Sequence, residues 1–311
     1  PSNKRASEDA SKLKFFAKTN ITKPNILKWL DIVALGTVCD VMRLTKINRA
    51  LVKQGLKLIN KKANTGISAL IDCANINGEI GEYHLGFAIG PRINAGGRVG
   101  EASLGSSLLC CDDATKAQEI ATKLNEYNQE RQAIQKHITE EAMMMAQTQV
   151  QQGKRFLFVY GLNWHQGIIG IIASRVKEKF NLPAAVGCLF NIDGEVTEVK
   201  EGGATGKQMI KASCRSIKGV DIGTSITRAK KENLLLEGGG HAMAAGFSLK
   251  AGNLQDFSNF MEQAIEPQVE FAIANQTNEY VAEISADDNL FNISQALQDL
   301  RPFGNGNQEP I

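Results

Sequence analysis

The sequence predicts a mixed α/β protein of two lobes joined by one long helix. Two observations carry this: strand-like and helix-like segments alternate beyond residue 155, and the stretch from Asp112 to Gln151 contains neither Gly nor Pro. At 311 residues the chain has room for two domains, and 43% hydrophobic with 22% charged residues is ordinary for a globular protein.

The elements follow in order. Residues 27–60 carry apolar positions at helical spacing in "LKWLDIVALGTV" and "NRALVKQGLKLIN", with Leu51, Leu56 and Ile59 on one side. "GTVCDVMRL" lies between them. Gly and Asn then interrupt "ANINGEIGEY" and "GPRINAGGRVGEAS", which read as short helices around a functional loop. Asp112 or Asp113 is the expected N-cap of the next segment, whose apolar stripe is Ile120, Leu124, Tyr127, Ile134, Ile138 and Ala142. One helix of that length spans roughly 60 Å and suits a connector; two helices broken near Asn128 are the alternative. The second lobe opens with "RFLFVYG" as a strand. "NWHQGIIGIIASRVKEKF" follows as a loop and helix burying Ile168, Ile169, Ile172, Val176 and Phe180. "LPAAVGCLF" and "MIKASCRS" are expected strands, "IGTSITRAKKENLLLE" a helix, "AAGFSLK" a strand and "LQDFSNFMEQAIEP" a closing helix. "NEYVAEISADDNL" has strand character.

Composition narrows the function classes. The longest apolar runs, "FLFVYGL" and "GIIGIIA", fall well short of the roughly 18 residues of a membrane span, and no secretory signal opens the chain. We therefore expect a cytoplasmic protein. Cys39, Cys73, Cys110, Cys111, Cys188 and Cys214 form no CxxC pair, which points to reduced, buried thiols. Net charge is only +2, but Lys200, Lys207, Lys211, Arg215, Lys218, Arg228, Lys230 and Lys231 face only Glu201 and Asp221 as acids. That run is either a solvated face or an anion-binding one. The chain opens at Pro1 without Met and stops just past "RPFGNGNQEP", so a piece of a larger protein is expected.

Four segments hold the candidate chemistry. In "EGGGHAMAAGF" three glycines precede His241, leaving backbone N–H groups able to approach an anion. The other reading is a tight turn feeding a strand, with His241 satisfied in the core. "GTVCDV" offers Asp40, a metal carboxylate or a helix cap. "GPRINAGGRVG" offers Arg92 and Arg98, phosphate clamps or loop cations, and "SCRS" offers Ser213, Arg215 and Ser216. Carboxylate, arginines, hydroxyls and imidazole are together the equipment of a metal-dependent phosphodiesterase.

Taken in order, "LDIVALGTVCDV", "NRALVKQGL", "GPRINAGGR", "LNEYNQERQ", "WHQGIIGIIASR", "SCRS", "GGHAMAAGF" and "LRPFGNGNQEP" resemble the RecJ-type single-stranded-DNA exonucleases of the DHH phosphoesterase superfamily. The resemblance implies the C-terminal part of a DHH catalytic domain over 1–111, a connecting helix over 112–151, a DHH-associated domain over 152–268 and the beginning of an OB-like domain over 269–311. It implies 5′ to 3′ hydrolysis of single-stranded DNA with two Mn²⁺ or Mg²⁺ ions, in DNA repair or recombination. Asp40 matches the family's last metal aspartate, with Cys39, Met42 and Arg43 departing from the usual neighbours. The D-x-D and D-H-H strings do not occur in this sequence, so the chain alone is expected to be inactive. By the same resemblance Ser213 and Arg215 bind the 5′-terminal phosphate with Arg98, favoured over Arg92, and Asn94 belongs to the same DNA-phosphate-binding set. Gly239, Gly240 and His241 would meet the scissile phosphate. His165 is either a further contact or a structural residue. The implied protein is a monomer that acts on single-stranded DNA, with a helicase or single-strand-binding protein as companion. The rival readings are a DHH-type phosphodiesterase for short oligonucleotides or cyclic dinucleotides, and a non-catalytic DNA-binding scaffold.

Overall fold

Helix capping and close helix contacts organise the first part of the chain. The structure is a computed structural model and describes residues 25–191, 208–277, 280–281, 283–285 and 287–310. Lys200, Glu201 and Lys207 of the basic run lie outside these residues. A short turn, Ile26–Trp29, leads into α1 (Leu30–Cys39), and α2 (Lys46–Asn60) packs on it. Any side chain at Gly55 would run into the Leu30 carbonyl and the Ala34 methyl, so this close approach requires glycine. The buried line of α2 is Val52, Gly55 and Ile59, with Leu51 and Leu56 flanking it half-buried. Asn64 caps α3 (Thr65–Cys73) by accepting from the Ile67 N–H at 2.9 Å.

The segment after α3 corrects one expectation. Following α4 (Glu82–His84) and the wide turn Leu85–Ile89, "GPRINAGGRV" is not a loop but α5 (Gly90–Val99). Pro91 follows the wide turn directly, inside a helical run unbroken from Glu82 to Val99. Gly96 remains in the helix because a side chain there would meet the Glu101 carbonyl oxygen at 2.5 Å and Leu124 at 3.4 Å. The short α6 (Leu104–Leu109) and the long α7 (Ala114–Gln151) follow. Asp113 caps α7, accepting from the Lys116 N–H at 3.0 Å, and the helix runs unbroken through Asn128.

The later part is a five-stranded mixed sheet with helices. It comprises β1 (Leu157–Leu162), α8 (Ile169–Phe180), β2 (Ala184–Asn191), β3 (Gln208–Arg215), α9 (Ile222–Lys231), β4 (Glu237–His241), β5 (Ala244–Lys250) and α10 (Leu254–Ala274). The strand order is β1-β2-β3-β5-β4, parallel between β1 and β2 and antiparallel elsewhere. Its core joins Ile168, Ile169, Ile172 and Val176 of the α8 segment to Ile226, Met261 and a ring cluster of Phe158, Phe247 and Phe257. Phe180 is only partly buried. The expected strand in "NEYVAEISADDNL" is absent among the described residues, where no neighbouring strand pairs its backbone; α11 (Leu290–Asp299) follows.

Contacts divide the chain into two units. Among the described residues, one gathers those of 25–91, 106–122 and 284–310; the other gathers those of 92–105 and 123–283. Among the described residues no helix is long and apolar enough to cross a membrane. The cysteines are free, but only Cys188 and Cys214 are buried and Cys110 is exposed, so burial of all six thiols does not hold.

Candidate functional site

In the second unit, period-two alternation along β3 puts Lys211, Ser213 and Arg215 on one face, while Ile210, Ala212 and Cys214 enter the core. Register extends that face across two more strands. Ser213 lies opposite Gly246, which lies opposite Gly239; Arg215 lies opposite Ala244, which lies opposite His241. Residues directly opposite share a face. Thus Ser213, Arg215, Gly239 and His241 lie on one surface, separated by the small Ala244 and Gly246. Arg215 and His241 are two strand spacings apart, roughly 10 Å.

Arg215 is held in place by its own strand. Its Nη1 donates to Ser213 Oγ at 3.0 Å and to the Cys214 carbonyl at 2.7 Å. Gly170, in the first turn of α8, comes so near that a Cβ there would stand 3.1 Å from Arg215 Nη2 and 3.2 Å from Ser213 Oγ. Ile168 occupies the N-cap of α8 and supplies no side-chain cap; its carbonyl accepts the Ile171 N–H at 2.8 Å, and the N–H groups of Ile169 and Gly170 are left for another acceptor. Arg98 approaches from the end of α5, donating from Nη1 to the Gly167 carbonyl at 2.7 Å. Burial, and then the charge of Arg215, lowers the pKa of Arg98 below the ordinary arginine value. Among the described residues no carboxylate pairs with Arg98 or Arg215. Two guanidiniums, a hydroxyl and a helix N-terminus therefore converge with no built-in anion among the described residues, a set of donors chemically suited to an anion.

The arginines of "GPRINAGGR" separate in role. Arg92 donates from Nε to Asn125 Oδ1 at 2.9 Å and ties α5 to α7, whereas Arg98 is the one beside Arg215. Asn94 is exposed on α5. His165 uses Nδ1 to accept the Gly167 N–H at 3.2 Å, a structural role in the turn before α8. Ser216 is buried and donates to the Val220 carbonyl at 2.8 Å, away from ligand duty.

The glycine motif is a hairpin, and His241 is exposed on it, which excludes the core-histidine reading. Its three glycines serve different ends. Gly238 admits Ile226 and Leu235, since a Cβ would lie 2.9 and 3.0 Å from them; Gly240 has φ 157°, and a side chain there would strike Ala244 and Ala245. Gly239 has nothing within 4 Å of a would-be Cβ, so folding does not require it to be glycine. It borders an open cavity of about 470 Å³ with Lys211, Gly246 and Ser248, while His241 borders another of about 260 Å³ with Thr224, Thr227, Arg228 and Lys231.

In the first unit Asp40 is exposed and stands at the C-cap of α1, its N–H donating to the Gly36 carbonyl at 3.0 Å. A carboxylate at a helix C-terminus is electrostatically unfavourable. The next residue, Val41, holds φ 54°, costly for a β-branched side chain. A cavity of about 770 Å³ opens beside this turn, lined by Cys39, Val41, Met42 and the stacked, exposed rings of Tyr83 and Phe87, which sequence reasoning missed. Among the described residues no three His, Cys, Asp or Glu side chains converge on a metal position. One carboxylate does not satisfy a hard divalent cation that takes about six oxygens. The described residues therefore do not fit a two-metal centre by themselves, and no step through a metal follows from them.

The uncapped start of α8 was also missed, although "HQGIIG" carried a signal: no Ser, Thr, Asp or Asn stands where a cap belongs. Comparison with known proteins supplies the context. Residues 153–267 match the DHHA1 domain family. The single-stranded-DNA-specific exonuclease RecJ of Salmonella typhimurium is 34% identical over 304 residues, covering 96% of this chain and 50% of that protein. The RecJ of Escherichia coli is 33% identical with the same coverage. Solved structures of Thermus thermophilus RecJ in complex with Mg²⁺ and with Mn²⁺ superpose with TM-scores of 0.71 and 0.72 at 27% identity, over 95% of this chain and 42% and 40% of theirs. The chain spans about half the length of the curated relatives it matches. Residues 153–267 thus match the DHHA1 domain, and over nearly its whole length the chain is similar to the RecJ exonucleases.

Proposed function

We propose that the complete protein is a 5′ to 3′ exonuclease on single-stranded DNA, using Mn²⁺ or Mg²⁺, and that the residues described here supply its grip on DNA phosphates. The observation that carries this is the convergence of Arg98, Ser213 and Arg215 on the uncapped start of α8. Arginine binds phosphate oxygens in a fixed fork, and the helix N–H groups add donors without adding bulk. A 5′-terminal phosphate seated there places the strand along the sheet face past Ala244 and Gly246, whose small side chains leave room for sugar and base. The next phosphate then comes toward His241, roughly 10 Å away at two strand spacings. A protonated or N–H-donating imidazole there stabilises charge growing on a phosphate oxygen. Asp40 is the one candidate metal carboxylate of this reading. The reading includes a monomer in the cytoplasm, working beside a helicase or single-strand-binding protein, and the DHHA1 match over 153–267 supports its DHH-associated part.

The test compares binding of a 5′-phosphorylated and a 5′-hydroxyl oligonucleotide to the chain by fluorescence anisotropy. The phosphorylated strand binds more tightly, and Arg215→Ala removes most of the difference while the melting temperature holds. Equal affinity for both strands would sink the pocket assignment. The scaffold reading gains if the complete protein, supplied with Mn²⁺, releases no nucleotide from single-stranded DNA.

A further inference from the structure

The long helix α7 contains a buried cation, Arg131, outside the proposed DNA grip. Its buried line is Ala117, Ala121, Leu124, Asn128, Arg131, Gln135, Ile138, Ala142 and Ala146, apolar at both ends and polar in the middle. Arg131 is only 8% exposed. Its Nε and Nη2 both donate to Asn128 Oδ1, at 3.2 and 3.0 Å, and its Nη1 donates to Gln135 Oε1 at 2.5 Å.

The choice of acceptors is informative. A buried arginine is ordinarily matched by a carboxylate, because an unneutralised charge is costly away from water. Here both acceptors are amides. Asp and Glu are isosteric with Asn and Gln and would have held the same geometry while cancelling the charge. The guanidinium is thus oriented but not neutralised, and its charge reaches whatever lies nearby. α5 packs against this part of α7: a Cβ on Gly96 would meet Leu124 at 3.4 Å, one on Gly100 would strike the Tyr127 ring, and Arg92 bonds Asn125. Arg98 ends that same helix. The pKa of Arg131 is lowered first by burial, then by the charges of Arg98 and of Arg175 on α8.

We infer that Arg131 is a positioning residue for the terminal phosphate: held by Asn128 and Gln135, it places a fixed positive charge behind Arg98, so that the pocket favours a dianionic 5′-phosphate over a singly charged internal phosphodiester or a hydroxyl. This rests on the reading of Arg98, Ser213 and Arg215 as a phosphate pocket. A terminal phosphate carries close to two charges near pH 7, so a cation one layer back acts more strongly on it than on a phosphodiester. The stretch "NEYNQERQAIQ" then has a function beyond helix packing, through its Asn128, Arg131 and Gln135.

The experiment measures the ratio of Kd for 5′-hydroxyl to 5′-phosphate oligonucleotides with the chain and four variants. Arg131→Gln lowers the ratio about tenfold and leaves the 5′-hydroxyl Kd unchanged, the scale expected of one charge acting across a partly buried layer. Arg131→Lys restores most of the ratio. Gln135→Glu retains the side-chain shape and the hydrogen bond, so it folds even if Arg131→Gln does not, and it lowers the ratio by adding the cancelling charge. Arg215→Ala reports on the pocket itself. A collapsed ratio in Arg215→Ala with an unchanged one in Gln135→Glu and Arg131→Gln overturns the role of Arg131 and leaves the pocket standing. A ratio of about one in the unaltered chain overturns both.

Discussion

Asn305 donates its side-chain amide to the Val41 carbonyl at 2.8 Å, and its own carbonyl accepts the Leu44 N–H at 2.6 Å. A residue of "RPFGNGNQEP" thereby clasps the turn that follows Asp40 on both sides. That turn needs a clasp. Val41 sits at φ 54°, a conformation that costs an L-residue roughly 1 to 2 kcal/mol, and it is 67% exposed, so little burial compensates. Asp40 meanwhile places negative charge at the wrong end of α1.

The turn therefore yields a pair of stability predictions. Val41→Gly stabilises the chain by about 1 kcal/mol, because glycine adopts positive φ freely. Asn305→Ala destabilises it by about 1 kcal/mol through loss of a hydrogen bond to a strained segment. Denaturant titration of both variants checks this. A destabilised Val41→Gly would mean that the valine side chain, not the clasp, holds the turn.

Thiol chemistry separates Cys39 from Cys110. Burial pushes the Cys39 thiol up to about 11, and its Sγ lies 3.5 Å from the Leu85 carbonyl, whereas Cys110 is exposed. The thiolate is the reacting species. At pH 8 Cys39 remains a protonated thiol, so brief iodoacetamide treatment labels Cys110 and spares Cys39 until denaturant is added. Peptide mass spectrometry reads the two sites, and equal labelling rates in the native chain would contradict the burial of Cys39.

The cap of α9 gives a pH dependence. Asp221 accepts from the Thr224 N–H at 3.0 Å and the Thr224 hydroxyl at 2.8 Å, and these bonds lower its pKa below the ordinary 3.8. A carboxyl with a depressed folded pKa stabilises fully above its unfolded value and loses that contribution as pH falls through the folded value. Asp221→Ala then costs about 1 kcal/mol at neutral pH, the usual scale for a helix cap. The difference from the parent narrows as pH drops below 3.8. A gap that stays constant into acid would show that the carboxylate is not the group responsible.

Much of this was legible in the sequence because it follows from local rules. The strand expected over "MIKASCRS" is β3, which carries Ser213 and Arg215 on one face, and the Gly-free run is the expected single helix α7, capped by Asp113 of the two candidates Asp112 and Asp113. What could not be read depends on tertiary packing. The helix at "GPRINAGGR" looked like a loop because Gly and Asn disfavour helices, yet close contact with Glu101 and Leu124 makes Gly96 necessary there. Of the apolar stripe expected on α7, Leu124, Ile138 and Ala142 are buried, whereas Ile120, Tyr127 and Ile134 are only half-buried. Its true centre holds Asn128, Arg131 and Gln135, and a hydrophobicity pattern has no means of marking buried polar residues. The distinction between Arg92 and Arg98 needed the position of Arg215, brought there by the sheet.

The glycines before His241 provide the sharpest separation of folding from function. Gly240 is required by the backbone: at φ 157° a side chain would strike Ala244 and Ala245 across the hairpin. Gly240→Ala therefore destabilises the chain by a few kcal/mol, as substitutions at positions reserved for glycine do. Gly239 faces open space on the same surface as Ser213, Arg215 and His241, so a methyl group there touches no protein atom. If that surface carries the DNA strand, the methyl stands where the ligand approaches. Gly239→Ala then leaves the melting temperature unchanged and weakens binding of a 5′-phosphorylated oligonucleotide several-fold, and a bulkier Gly239→Val weakens it further. If the surface carries no strand, both substitutions are silent in binding as well as in stability. Melting curves and anisotropy titrations on the same preparations decide the matter: a stable Gly239→Val with undiminished affinity would remove the sheet face from the DNA path.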